Sequence, residues 1–216
     1  MTAPAPVRRD TTEPPALHDR AIQDLSFIRR TMEGASSFTD VPGWGLVGVG
    51  VTAIGAAVLA HTQPSVGRWI TIWLSEAALA VCIGGVTMWR KMHRRGVRPR
   101  APLLSAPARK FLFGFWPAMV AGVVLTIALV DLRGLWRAAS TVPTVLPGLW
   151  LLVYGVGITT AGASSVRAVP LMGIGLMAMG AITLLVPTIS GDVMLALGFG
   201  VWQIGFGYWI ARRHGG

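Results

Sequence analysis

Glu76 stands in "WLSEAALAV", residues 73–81, inside a stretch that is otherwise apolar. A carboxyl group in such a place can relay a proton, bind a cation, or pin one helix to another. Near mid-bilayer its charge costs about 2.5–3.5 kcal/mol. The side chain must therefore face other helices, pair with a neighbour, or carry a proton. It lies seven residues from Trp69, about 10 Å along a helix at roughly 1.5 Å per residue. Tyr154 and Gln203 are the other polar side chains well inside apolar stretches. Together the three form the candidate intramembrane polar site. The partners open to Glu76 are Tyr154, Thr159, Thr160 and Gln203, with Arg133 or Arg137 reaching in from one end. A hydrogen bond across helices contributes about 0.6 kcal/mol on average, and helix pinning is the expected role of all three residues.

No other group of residues has catalytic spacing. His18, His61, His93 and His214 fall in tails or at the ends of apolar stretches, so no pair of inward-facing histidines is expected to hold a haem. The one cysteine, Cys82, excludes an intrachain disulfide and a cysteine-based metal site. Beyond residue 40 the only acidic residues are Glu76, Asp131 and Asp192. No HExxH, paired-carboxylate or nucleophile motif occurs. The expectation is a protein that is not an enzyme and has neither cofactor nor metal.

The elements that must position these residues are six apolar stretches, at about 43–61, 69–89, 111–130, 146–164, 168–188 and 192–211. Each approaches the roughly 20 residues that cross a bilayer as a helix. They do not alternate, as barrel strands would. With 53% hydrophobic residues, 13% charged residues and a mean hydropathy of +0.59, the chain departs from soluble composition. The fold class expected is all-α: a polytopic membrane protein of six transmembrane helices over residues 41–216. A polar tail over residues 1–40 precedes them and carries a short amphipathic helix at about 16–33. In that helix Ala21, Ile22, Leu25, Ile28 and Met32 form one apolar stripe. The tail has no apolar core of the kind a secretory signal needs.

Lysine and arginine set the threading. Arg8, Arg9, Arg20, Arg29 and Arg30 lie in the tail. Arg90, Lys91, Arg94, Arg95, Arg98, Arg100, Arg109 and Lys110 form a basic loop between the second and third stretches, and Arg167, Arg212 and Arg213 fall on the same side. Only Arg68, Arg133 and Arg137 fall on the other. Both termini and the basic loop are therefore expected in the cytoplasm. Trp44, Trp69, Trp89, Trp116, Trp136 and Trp209 lie near stretch ends, as an interfacial belt would. The basic loop is expected first to fix this topology; the other reading is a patch for anionic lipid, worth about 1 kcal/mol per residue near the surface. No DNA-binding motif accompanies the net charge of +10, so nucleic acid is not expected as a partner.

Glycines recur along the last three stretches: Gly155, Gly157 and Gly162; Gly173, Gly175 and Gly180; Gly198, Gly200, Gly205 and Gly207. They read as packing surfaces within the bundle or between copies of a homo-oligomer. "VPGWGLVGVGV" at 41–51 also echoes "LPGLWLLVYGV" at 146–156. An inverted three-plus-three repeat would produce such an echo.

Three segments carry a resemblance: "LSFIRRTMEGASSFTDVPGWG" at 25–45, "RKFLFGFWPAMVAG" at 109–122 and "GFGVWQIGFGYWIARRHGG" at 198–216. They resemble segments of an uncharacterised family of bacterial six-helix multi-pass membrane proteins with no assigned function. The resemblance implies a bacterial inner membrane. The function expected is that of a non-enzymatic membrane component, seated in the lipid bilayer, whose tail helix and basic loop form a cytoplasmic face that binds a cytoplasmic protein partner or anionic lipid. The alternative is a small-molecule or ion transporter, a permease using Glu76.

Overall fold

The computed structural model describes residues 22, 24–28, 41–94, 106–131 and 142–214. The chain divides into two units, Met1–Ser36 and Ser37–Gly216. In the first, residues 22 and 24–28 are helical, and the remainder of the helix expected over 16–33 lies outside the described residues. The second holds six helices long and apolar enough to cross a membrane. The chain is thus a multi-pass, all-helical membrane protein, with no strand among the described residues.

Helix α1 is Gly43–His61, α2 Val66–Arg94, α3 Ala106–Asp131, α4 Val142–Gly162 and α5 Ala168–Leu185. The sixth span has three pieces: α6 (Gly191–Leu195), a π-helical segment (Ala196–Trp202) and α7 (Gln203–His214). Two helices outrun the apolar stretches that announce them. Arg90, Lys91 and Arg94 belong to α2, and Arg109 and Lys110 belong to α3, so the basic loop is shorter than hydropathy alone suggests. Charge ends an apolar run but not a helix, because long basic side chains lay their stems along it and carry their heads to the interface. The first helix breaker after Glu76 and the glycines of α2 is Gly96. Pro117 lies within α3 and Pro147 within α4. Each removes one helical hydrogen bond, a loss that membrane helices tolerate through their neighbours.

Two glycine-to-glycine crossings hold the centre. On α1, a Cβ added to Gly43 would stand 2.6 Å from the Gly207 carbonyl oxygen, and one added to Gly50 would stand 2.7 Å from that of Gly200. On α4, a Cβ at Gly155 would stand 2.7 Å from the Gly173 oxygen, and one at Gly148 3.0 Å from that of Gly180. Real side chains do not fit at such distances. Each crossing therefore brings two backbones into direct contact, which lets dispersion act where lipid gives no hydrophobic drive. The sixth span also packs on α4, where Gly198 meets Leu151, and on α5, where Gly175 meets the Trp202 ring. Leu146, Leu151, Met172, Leu176 and Leu195 are fully buried between these helices.

Helices α2 and α3 flank this centre. α2 lies along α1, with Thr87 against Gly45 and Ile83 against Gly48. α3 lies along α4, with Gly114 against Ala161 and Gly122 against Val153.

Candidate functional site

The structure separates the three polar residues into two pairs. Thr52, Glu76, Tyr154 and Gln203 all sit near the middle of their spans. Glu76 is 9% exposed and faces α1. The Thr52 hydroxyl donates to its Oε1 at 2.8 Å. Thr52 is absent from the partners that sequence suggested, and those partners are engaged elsewhere. Thr159 donates to the Gly155 carbonyl and Thr160 to that of Gly114. Arg133 and Arg137 lie outside the described residues. Thr52 also stands 2.9 Å from the Val49 carbonyl and 3.3 Å from that of Gly48, and its single proton serves one acceptor at a time. A carboxylate at 76 takes that proton, whereas a carboxylic acid at 76 donates to Thr52 and leaves the Thr52 proton for Val49. Both arrangements join α1 to α2.

Tyr154 and Gln203 do meet, across α4 and the start of α7. The Gln203 side chain lies beside the Tyr154 hydroxyl. The Tyr154 ring is fixed edge-to-face by Phe199 at 5.2 Å and by Phe115 at 5.7 Å. Gln203 is buried, at 2% exposed, and its Oε1 has no donor among the described residues. The π-helical segment ends on the residue before it. Such segments are local departures from α-helical winding and recur at functional sites.

A third polar cluster escaped the sequence reading. Asp192 opens the sixth span, and its Oδ1 accepts the indole N–H of Trp69 at 2.7 Å and that of Trp73 at 3.4 Å. His61 Nδ1 stands 3.6 Å from Oδ2. Trp69 stacks on Trp150 with ring centres 5.8 Å apart, and the Trp150 indole donates to Thr126 at 2.8 Å. One carboxylate thus gathers the ends of α1, α2 and the sixth span, and the tryptophan stack extends the contact to α4 and α3. Trp69 is buried and so is not part of the interfacial belt assigned to it. Trp44, Trp89, Trp116 and Trp209 are exposed, and Trp136 lies outside the described residues. The spacing of Trp69 and Trp73, four residues apart on one helical face, was the available signal.

The basic residues gather at the opposite end. Arg90, Arg109, Lys110, Arg167, Arg212 and Arg213 are exposed there. Arg212 lies over the Tyr208 ring and Arg213 over that of Trp209. Lys91 departs from this pattern, since it is buried and its Nζ donates to the Val41 carbonyl at 2.9 Å. The side chain of Arg94 and the residues Arg95, Arg98 and Arg100 lie outside what is described. No protein-family model, curated protein or solved structure matches this chain.

Proposed function

We propose that the protein is a non-enzymatic component of a bacterial cytoplasmic membrane, with both termini inside, and that its basic end binds anionic lipid headgroups. The observation that carries this reading is that the spans bring basic residues and no acidic ones to that end. Of residues 41–216 the only acids are Glu76, Asp131 and Asp192; Glu76 is mid-span, and the other two lie at the far end of the bundle. The six spans themselves therefore bring no carboxylate to the basic end. Anionic headgroups are the partner a membrane offers, at about 1 kcal/mol per basic residue. The Glu76–Thr52 bond supports a pinning role for Glu76, and transport is not needed to account for it.

The test uses exposed Trp44 and Trp89, which lie at the basic end, as reporters. The full-length protein in vesicles should be quenched more by brominated phosphatidylglycerol than by brominated phosphatidylcholine. The combined variant Arg90→Gln, Arg109→Gln, Arg212→Gln, Arg213→Gln should lose most of that excess, as should added salt. Equal quenching by the two lipids in the unaltered protein would sink the proposal.

A further inference from the structure

We propose that Glu76 binds a hydrophobic organic cation, reached sideways from the bilayer through the seam between α1 and α2. The inference is independent of the lipid-binding reading. Pinning α1 to α2 occupies one carboxyl oxygen, Oε1, which meets the Thr52 hydroxyl. The other, Oε2, has no hydrogen bond among the described residues. It is nevertheless not an enclosed atom, since Gln203 Oε1 is the only side-chain oxygen or nitrogen there that is both enclosed and unbonded. Oε2 therefore reaches the surface of the bundle.

The seam shows where it does so. α2 closes on α1 through Thr87 at Gly45, Ile83 at Gly48 and Glu76 at Thr52. One turn beyond Thr52 the closure ends: Gly55 is exposed, and a Cβ added there would meet nothing within 4 Å. Leu59, seven residues from Thr52, and Leu79, three from Glu76, lie on these same helix faces and are 60% and 45% exposed. A carboxyl group thus stands at an opening with apolar walls.

At this depth the group must be made neutral, by a proton or by a cation. The bundle supplies no cation, because the lysines and arginines of the six spans all lie at span ends. Hydrated metal ions do not arrive through hydrocarbon, which strips their water and offers nothing in its place. A cation that carries its own apolar groups does arrive. It sets its charge against Oε2 and its apolar groups against Leu59 and Leu79. The carboxyl group is then ionised, any proton it held passes to the buffer, and the Thr52 hydroxyl donates to Oε1.

Tetraphenylphosphonium, a hydrophobic cation without a hydrogen-bond donor, is the probe. Its binding is measured by equilibrium dialysis against the full-length protein in phosphatidylcholine nanodiscs, with empty nanodiscs subtracted. Saturable binding is expected, and a large excess of sodium should not compete. Glu76→Gln keeps a bond to Thr52 and removes the charge, and should weaken binding by about tenfold or more. Gly55→Leu fills the opening and leaves the carboxyl group in place. It should weaken binding severalfold, and it decides the matter should Glu76→Gln fail to fold. Absence of saturable binding to the unaltered protein would overturn the proposal. Undiminished binding in a folded variant at either position, or competition by sodium, would do the same.

Discussion

At one end of the bundle, charge is turned inward and shared. At the other it is turned outward. Asp192 is 15% exposed and takes hydrogen bonds from two indoles while His61, 72% exposed, stands beside it. Arg90, Arg109, Lys110, Arg167, Arg212 and Arg213 are exposed at the opposite end. Buried charge with bonded neighbours fixes helix positions, because leaving those neighbours unpaired is costly. Exposed charge contributes little to folding and is available to whatever approaches from the membrane surface. Lys91 is a basic-end residue that, like Asp192, is bonded to a neighbouring helix; it is buried and donates to the Val41 carbonyl just before α1.

Substitutions at three positions probe this contrast. Asp192→Ala should have the largest effect, since it leaves the buried Trp69 and Trp73 indoles without their acceptor. A loss of roughly 3 kcal/mol is expected, read by denaturant unfolding in mild detergent with tryptophan fluorescence as the signal. Asp192→Asn keeps an acceptor oxygen and should recover most of that loss. An Asp192→Ala protein as stable as the unaltered one would mean the cluster does not tie the helix ends. Next, Lys91→Met preserves the stem and removes the bond to Val41, and should cost about 1 kcal/mol in the same assay. No loss would place Lys91 with the outward-facing cations. The smallest effect belongs to Glu76→Gln. The amide can still bond Thr52, so the change should stay below the roughly 1 kcal/mol of a lost hydrogen bond. A loss above about 2 kcal/mol would show that the carboxyl group does more than pin α1 to α2.

Much of the fold was legible because bilayer thickness leaves a helix few choices. The six spans follow from apolar run length, and the observed helices contain or nearly match each run. The glycines of the last three spans were read as packing surfaces, and most pack as expected. Gly205 is an exception, since a Cβ there would meet open space. The echo between residues 41–51 and 146–156 has a physical content that sequence did not show. Gly43 and Gly50 cross the sixth span, whereas Gly148 and Gly155 cross α5. In an inverted three-plus-three repeat, α4 would make the equivalent crossing with α3. The shared spacing of seven residues reflects the same packing need, a glycine every second turn at a backbone-to-backbone crossing, met against non-equivalent helices.

The sequence by itself determined the number of spans, the polarity of charge along the bundle and the identity of the mid-span polar residues. These are properties of single segments measured against a bilayer, so no neighbour is needed to read them. Only the tertiary structure decided who meets whom: Glu76 with Thr52, Tyr154 with Gln203, and Asp192 with Trp69 and Trp73 from more than a hundred residues away. All six spans are apolar on most of their surface, so hydropathy ranks no pair of them above another. The choice falls to close contact between glycine backbones and to the few polar side chains that must find a partner out of water.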